Sequence, residues 1–296
     1  MTVEVWGMMG AGAAALVAGL LLVRPRFQIA CGADKLFALA PVFEAVPLAI
    51  FAAEHLLAAH DLMPIVPKWL PWHLFWVYFF GVALLAAAIS FILWRCVRVS
   101  ALLLALFFLI VVAIVDLPNL STQAHDRLFW TLTVRELCFA GGAMTLAGSV
   151  SSRASRAGSL LERIGRAIVA LVMIFYGIEH FFFPRNVPGV PLEKMTPAWI
   201  PAPAAIACFI GIVLIVAGIG LFFRRTVRIA AAGAGGILVL LVIFFYLPIA
   251  AVELHSDLAV EGINYVGDTL LFAATVLLAG FGADRESDGQ PDQPAG

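Results

Sequence analysis

The sequence predicts an all-α integral membrane protein with about nine transmembrane helices, arranged as one N-terminal helix and two parallel-repeat four-helix bundles. The first observation behind this prediction is composition. Of the 296 residues, 63% are hydrophobic and 12% are charged, with a mean hydropathy of +1.03, whereas about half of a soluble domain is apolar. The second observation is a series of apolar runs of about 20 residues, the length that crosses a bilayer. The third is an internal repeat.

The apolar runs give the predicted helices in chain order. They lie near residues 5–23, 36–58, 73–94, 99–118, 131–149, 164–183, 203–223, 227–250 and 262–282. The first run differs from a cleaved signal peptide, because Met1–Val5 contains no Lys or Arg and Arg24-Pro25-Arg26 follows the run. We therefore expect it to be retained as a helix.

Polar and small residues recur along the chain at nearly constant spacing. Glu54-His55 recurs 125 residues later as Glu179-His180, and Glu136 recurs 132 residues later as Asp268. At a spacing of 130, Trp69, Pro71, Gly81, Arg95, Val97, Arg98, Leu117 and Pro118 recur as Trp199, Pro201, Gly211, Arg225, Val227, Arg228, Leu247 and Pro248. Since each unit has an even number of spans, both are expected to begin on the same side of the membrane and to be parallel.

The runs and the repeat together predict five parts of the chain. These are an N-terminal transmembrane helix with a cytoplasmic loop (1–35), a first four-helix unit (36–149), a cytoplasmic linker (150–161), a second four-helix unit (162–282) and a polar cytoplasmic tail expected to be disordered (283–296).

Basic residues predict how the chain is oriented in a cytoplasmic membrane. One side collects Arg24, Arg26, Lys35, Arg95, Arg98, Arg153, Arg156, Arg163, Arg166, Arg224, Arg225, Arg228 and Arg285, and the other collects Lys68, Arg127, Arg135, Arg185 and Lys194. Because basic loops stay cytoplasmic, the N-terminus is expected outside and the C-terminus inside. The net charge of −1 lacks the basic excess of a protein that binds nucleic acid.

Ionisable side chains within a bilayer are costly, so they are the best indicators of a functional site. The predicted candidates for a catalytic site are Glu44, Glu54, His55, Glu136, Glu179, His180 and Asp268. In the last helix Glu261, Asn264 and Asp268 share one stripe that must face protein or water. Glu136 and Asp268 are expected to enter the hydrocarbon region only slightly, with Arg135 pairing locally to Glu136. These residues are consistent both with purely structural ion pairs and with a functional site.

Glu44 is the one acid predicted well inside the membrane. It shares a helix face with His55, and Pro47 frees the carbonyl of Phe43 as an acceptor for a protonated carboxyl. A buried carboxyl without a partner favours its neutral form. A role in proton exchange and a structural hydrogen bond to a neighbouring helix are both consistent with this position.

The two Glu-His dipeptides are expected to bridge helices at the outer ends of the bundles. No HxxxH or HExxH pattern occurs, so no metal site is predicted. No CxxC pair occurs among the four cysteines, so dithiol exchange by this chain alone is disfavoured. Aromatic residues at 69–80 and 181–183 are typical of an interfacial belt. A cleft for a quinone headgroup, with Glu or His for protonation, is the alternative.

Several of these motifs resemble the DoxX-like membrane family. The resemblance rests on Tyr176-Gly177-Ile178-Glu179-His180-Phe181, on Pro188-Gly189, Pro191 and Trp199-Ile200-Pro201, on Gly211, Gly218, Gly220, Arg225 and Arg228-Ile229-Ala230-Ala231, and on the start of a last helix at Arg135-Glu136. It covers both units and implies four-helix membrane bundles. It also implies a link to respiratory quinones or to sulfur and thiol redox enzymes.

The leading functional hypothesis is a membrane subunit that serves quinone-linked or other redox chemistry at the outer face of the cytoplasmic membrane. A quinone is the possible cofactor, and an exported or membrane redox enzyme is the expected partner, since no cofactor motif occurs in the chain. Two alternatives stay open: a proton-coupled permease for a small solute, and a non-catalytic scaffold for an exported enzyme. Whether the chain is itself an enzyme is left open.

The predicted orientation is tested by labelling single cysteines in intact cells with a membrane-impermeant reagent. A cysteine in the 184–200 loop should be labelled from outside, and one in the 149–159 linker only after the membrane is permeabilised, because basic segments remain cytoplasmic. Labelling of the linker from outside would contradict the orientation.

Overall fold

A computed structural model of the chain describes residues 1–152, 155–190 and 192–282. Over these residues the protein is all-helical. Its α-helices are α1 (Val3–Ile29), α2 (Asp34–Leu57), α3 (Ala59–Leu62), α4 (His73–Leu93), α5 (Val97–Val111), α6 (Leu117–Thr122), α7 (Arg127–Ser149), α8 (Arg156–Phe182), α9 (Pro203–Leu221), α10 (Val227–Leu241), α11 (Leu247–Glu253) and α12 (Ala259–Phe281). The prediction for the tail 283–296 lies outside the described residues.

Eight helices are long and apolar enough to cross a membrane, counted over the described part of the chain. They are α1, α2, α4, the continuous helix from α5 to α6, α8, α9, the continuous helix from α10 to α11, and α12. The protein is therefore a multi-pass, all-α membrane protein. Helix α7 has 23 residues, as many as α12, but it is less apolar, so a ninth span stays a prediction.

The helices form one bundle around α2, α7, α8 and α12. Helix α7 packs along α8, α12 packs along α2, and α7 and α12 meet at the centre. Helices α4 and α5 lie outside α2 and α7, and α9 and α10 lie outside α8 and α12. The first helix of each predicted unit thus packs on the last helix of the other, and α12 is buried along almost its whole length.

Helix boundaries recur at the spacing seen in the sequence. Helices α4 and α9 begin at His73 and Pro203, and α5 and α10 begin at Val97 and Val227. Each of the latter pair continues through a five-residue π-helical segment, Val112–Asp116 or Val242–Tyr246, into α6 or α11. A proline, Pro118 or Pro248, follows each segment by two residues. Proline lacks the N–H of a regular helical turn, which accounts for the local change in hydrogen bonding.

Helix α1 lies against α2 through small residues. An ideal Cβ at Gly12 would lie 2.8 Å from Ile50 Cγ1, and one at Gly19 would lie 2.5 Å from Val42 Cγ1. Only glycine allows the two helices to approach this closely, as is common for helix pairs within membranes.

Two predicted helix starts are corrected. Helix α7 begins at Arg127 instead of 131, because the Asp126 side chain accepts a hydrogen bond from Leu128 N at 2.9 Å. Helix α8 begins at Arg156, where Ser155 is the N-cap, so only 150–155 of the predicted 150–161 linker precedes it.

Two acids lie near the middle of the longer central helices. Glu136 and Asp268 are each the tenth residue of a 23-residue helix, about 14 Å along its axis at 1.5 Å per residue. Helices α7 and α12 begin at Arg127 and Ala259, a few residues before the predicted starts, and how deeply the two acids enter the hydrocarbon region stays a prediction.

Candidate functional site

A single arginine joins the two central helices. Arg135 Nη1 donates to Asp268 Oδ2 of α12 at 2.7 Å, and Arg135 Nη2 donates to its neighbour Glu136 at 2.8 Å. The local pair with Glu136 was predicted, whereas the contact with Asp268 was not. The two acids that recur in the sequence therefore share one guanidinium at the α7–α12 contact.

Two further acids lie in the electrostatic range of this arginine. Glu54 of α2 is buried and accepts a hydrogen bond from Asn264 Nδ2 of α12 at 2.9 Å. Asp116, the last residue of the first π-helical segment, is buried and interacts with Glu136 and Arg135. We call Glu54, Asp116, Glu136 and Asp268, grouped around Arg135, the acidic cluster.

The acidic cluster holds four carboxyl groups against one guanidinium. Buried charges are costly unless they are paired, and Asp116 Oδ2 is buried without a hydrogen-bond partner among the described residues. Protons on some of these carboxyls relieve the excess negative charge. The arrangement is therefore suited to holding a proton within the membrane.

Each residue of the predicted stripe on α12 has a protein partner, although the Glu261 side chain is 44% exposed. Glu261 accepts from Lys194 Nζ at 2.9 Å, Asn264 donates to Glu54, and Asp268 pairs with Arg135. Lys194, in the loop before α9, also pairs with Glu253 at 2.8 Å. Burial by itself lowers the pKa of Lys194, but the two carboxylates outweigh it and raise the pKa above its ordinary value. Hydrogen bonds and ion pairs thus connect the stripe to α2, to α7 and to the loop before α9.

A second group of polar residues lies at the predicted outer end, between α7 and α8. Glu179 is buried; its carboxylate is 3.7 Å from Arg127 Nη1 and accepts from Thr131 Oγ1 at 3.4 Å. The Tyr176 hydroxyl donates to the carbonyl of Thr131 at 2.9 Å. Glu54 and Glu179, equivalent in the sequence repeat, therefore each contact the last helix of the other unit.

An open cleft of about 390 Å³ adjoins Glu179. We call it the aromatic cleft, and it is lined by Ala124, His125, Arg127, Trp130, Phe175, Ile178, Glu179 and Phe182. Trp130 is held in place by a hydrogen bond from its Nε1 to the Ala124 carbonyl at 2.8 Å. Phe182 is 74% exposed, and Trp130 and Ile178 are also exposed. The cleft therefore opens on an apolar surface of the bundle.

His180 positions the loop that follows α8. Its Nδ1 donates to the Tyr176 carbonyl, and its Nε2 accepts from Gly189 N at 2.8 Å. The Tyr246 hydroxyl donates to the Pro188 carbonyl in the same loop. Because both ring nitrogens are bonded to backbone, His180 is a neutral structural residue in this arrangement. Gly189, with φ of +102°, lies in a backbone region that favours glycine.

His55 and Glu44 differ from the other candidates. His55 Nδ1 donates to the Phe51 carbonyl at 2.8 Å, within its own helix. Glu44 is fully buried, and neither of its carboxylate oxygens has a hydrogen-bond partner among the described residues. The expected bond from Glu44 to the Phe43 carbonyl is therefore not formed. Glu44 lies apart from the acidic cluster and near the buried Cys138.

Of the predicted candidates, the structure brings Glu54, Glu136 and Asp268 together and places Glu179 with His180 at a separate site. Sequence reasoning assigned no site role to Arg127 and Trp130. The sequence feature that could have identified them is their position in the first turn of α7, after the N-cap Asp126. In the structure this turn lies opposite the Glu-His dipeptide of α8. The four cysteines are free, and over the described residues no group of His, Cys, Asp or Glu is arranged to hold a metal ion.

Comparison with known families gives one match. A family model described as a domain of unknown function, DUF8561, matches residues 44–127, from Glu44 to the first residue of α7. No curated protein and no solved structure matches the chain.

The ion pairs of Arg135 are expected to be essential to stability. Replacing Arg135 with Gln leaves Glu136 and Asp268 buried without their cation, which should lower the free energy of unfolding by about 3–5 kcal/mol. Thermal unfolding in detergent measures the change. Arg98→Gln, at an exposed position, is the control. The double variant R135Q/D268N should recover part of the loss, and a fully stable single variant would contradict the role of the pair.

Proposed function

We propose that the chain is a membrane subunit that binds the headgroup of an isoprenoid quinone in the aromatic cleft and holds or releases a proton at Glu179. The supporting observation is the cleft itself, in which aromatic walls and a buried carboxyl meet at an exposed apolar surface of the bundle. Its volume of about 390 Å³ lies in the range of roughly 300–1,000 Å³ typical of small-molecule sites.

The residues of the cleft fit such a headgroup. Trp130, Phe175 and Phe182 offer flat apolar surfaces for a ring. Arg127 is positioned to donate to a ring oxygen, and Glu179, beside it, is positioned to exchange a proton with that oxygen. A bound quinone supplies two-electron chemistry in which its oxygens gain or lose protons, and the electrons come from a partner redox protein.

An asymmetry between the two halves also supports the cleft as a site. By the sequence repeat, Ile50 and Leu57 of α2 occupy the positions of Phe175 and Phe182 of α8. Helix α1 contacts both: a Cβ at Gly12 would lie 2.8 Å from Ile50 Cγ1, and one at Gly7 would lie 2.0 Å from Leu57 Cδ1, although Leu57 is still 49% exposed. In the first half α1 therefore packs against the surface that in the second half has no additional helix.

The repeat, the membrane orientation and the partner in this proposal are inferred from the sequence. The recurring helix starts and π-helical segments support a duplicated four-helix unit. In such a unit α7 would be a ninth span. The resemblance to the DoxX-like family stays a prediction. The basic residues favour a cytoplasmic membrane with the cleft at its outer face. The partner would then be an exported or membrane redox enzyme that reaches the cleft from that side.

Quinone binding tests the proposal on protein in lipid nanodiscs. Trp130→Ala should weaken the binding of decylubiquinone by about tenfold, which corresponds to about 1.4 kcal/mol, because it removes an aromatic wall of the cleft. Glu179→Gln should retain most of the binding but remove its dependence on pH. Equilibrium partition of radiolabelled decylubiquinone measures both effects.

Matched controls come from the first half of the chain. Leu57→Ala and Glu54→Gln change the repeat equivalents of Phe182 and Glu179, where α1 packs against α2, and should leave quinone binding unchanged. Equal losses in both halves, or no saturable binding by the unaltered protein, would exclude the cleft as a quinone site.

Glu44 favours a second candidate function, a proton-coupled permease. A carboxyl that is fully buried and has no partner destabilises the fold, which is understandable if it must take up and release a proton during transport. Helix α2, which carries Glu44, packs against the central helix α12. A change in the protonation of Glu44 would therefore affect the packing at the core of the bundle.

Substitutions at Glu44 separate these roles. Glu44→Leu should raise the free energy of unfolding by about 1–3 kcal/mol, because it removes an unsatisfied buried polar group. For a permease, Glu44→Leu and Glu44→Gln should both reduce proton flux into liposomes that contain a pH-sensitive dye. Unchanged flux in both variants excludes a transport role for Glu44, and a destabilised Leu variant shows that the carboxyl has a structural partner.

A further inference from the structure

The loop that joins α8 to α9 is held together by hydrogen bonds between its two arms. Val187 N donates to the Lys194 carbonyl at 2.9 Å, and Thr196 N donates to the Arg185 carbonyl at 2.8 Å. Segments 185–190 and 192–196 therefore pair in antiparallel fashion, and we call these two segments the paired loop. Its buried apolar residues are Val187, Val190 and Leu192. The paired loop is thus part of the packed interior.

A buried lysine fixes the paired loop to the second half of the bundle. The Lys194 side chain is only 8% exposed, and its Nζ lies 2.8 Å from Glu253 Oε1 of α11 and 2.9 Å from Glu261 Oε1 of α12. The backbone N–H of Lys194 donates to the Tyr265 hydroxyl of α12 at 3.1 Å. Because a cation with so little exposure is costly unless it is paired, these contacts favour one position for Lys194 and for the arm that carries it.

The paired loop also contacts the guanidinium of the aromatic cleft. Arg127 Nη2 donates to the Leu192 carbonyl at 3.1 Å, while Arg127 Nη1 lies 3.7 Å from Glu179 Oε1. The Leu192 carbonyl is fixed from the opposite arm, since it also accepts from Asn186 Nδ2 at 2.9 Å. One guanidinium thus binds the loop through one nitrogen and faces the carboxylate of the cleft with the other.

These contacts connect α12 with the cleft. Lys194 lies two residues after Leu192 in the same arm, and its side chain fixes that arm to α11 and α12. A guanidinium donates well only along fixed directions, so a shift of the Leu192 carbonyl would turn Arg127 away from a bound headgroup. Lys194 can therefore affect the cleft through Arg127, although it is not among the residues that line it.

The two acids that bind Lys194 have no counterpart in the sequence of the first half. At the repeat spacings of 130 and 132 residues, Gln123 and Phe129 occupy the positions of Glu253 and Glu261. The lysine in the loop before α4, Lys68, is exposed. The ion pairs of Lys194 thus belong to the half that has the open cleft, as expected if they serve it.

We propose that Lys194 is a positioning residue of the quinone site, which anchors the paired loop so that the Leu192 carbonyl directs Arg127 towards Glu179 and the bound headgroup. The headgroup in this inference rests on the proposed function. The position of Arg127 beside Glu179 is a property of the protein without quinone, so the two are tested by separate measurements.

The first measurement is the reaction of Glu179 with dicyclohexylcarbodiimide, in full-length protein in nanodiscs without quinone. Carbodiimides react with uncharged carboxyl groups, and a cation beside a carboxyl favours its charged form. Arg127→Gln should therefore increase the modification of Glu179 by about threefold or more, and Lys194→Gln should increase it in the same direction. Mass spectrometry of the peptide that contains Glu179 measures the modified fraction.

The second measurement is the binding of decylubiquinone to the same variants. Arg127→Gln should weaken binding by about tenfold and Lys194→Gln by about threefold, because the first removes a hydrogen-bond donor and the second only misplaces it. If Lys194 acts through Arg127, the double variant R127Q/K194Q should bind as weakly as R127Q alone. Losses that add in the double variant would show that Lys194 acts independently and would contradict the inference.

Two further variants complete the set. Tyr265→Phe removes the hydrogen bond from the Lys194 backbone but leaves the ion pairs. It should change both measurements in the same direction as Lys194→Gln, and it decides the question if Lys194→Gln does not fold. Lys68→Gln removes the same charge from an exposed position in the loop before α4 and should change neither measurement.

The two measurements separate failure of this inference from failure of the proposed function. Increased modification of Glu179 in K194Q and Y265F, together with weaker quinone binding, is the expected result. Increased modification without saturable quinone binding by the unaltered protein would support the positioning of Arg127 and exclude the quinone site. Unchanged modification in both K194Q and Y265F, or in R127Q, would overturn the inference whatever the quinone affinity.

Discussion

The ion pairs of Arg135 with Glu136 and Asp268 are the interactions on which the rest of this bundle depends. They lie at the contact of α7 and α12, about 14 Å along either helix, where an unpaired charge would be costly. With these two helices joined, α2 packs on α12 and α8 packs on α7. Each then brings a buried glutamate, Glu54 or Glu179, to the last helix of the other unit. The need to keep Arg135 and Glu136 paired with Asp268 also explains why α7, which is less apolar, lies among the central helices.

The two halves share these contacts but differ in what surrounds them. Helix α1 packs against α2, which carries Glu54, through close glycine contacts, whereas the surface beside Glu179 is an open cleft with aromatic walls. Near Glu179, His180 binds the backbone of the following loop, so that histidine is structural. One surface against which α1 packs and one open surface are consistent with a single binding site, on the half that α1 does not reach.

Much of the fold follows from local sequence signals, and most of the site does not. Composition and apolar runs predicted a multi-pass helical protein, and the recurrence of Glu54-His55 as Glu179-His180 indicated two equivalent buried positions. The stripe of Glu261, Asn264 and Asp268 was predicted to face protein or water, and each of the three residues has a protein partner. The partner of Asp268 was not predictable, because Arg135 lies 133 residues away and only tertiary packing brings them together. Hydropathy also placed the start of α7 too late, since polar capping residues precede its apolar part.

The central claim is that a quinone headgroup enters the aromatic cleft and not the covered surface of the first half. Photo-crosslinking with an azido-quinone in nanodiscs, followed by mass spectrometry of the labelled peptides, tests it most directly. The account predicts labelling within residues 124–130 and 175–182 that excess decylubiquinone suppresses. Labelling concentrated on α1 and α2, or labelling that decylubiquinone does not reduce, would contradict it.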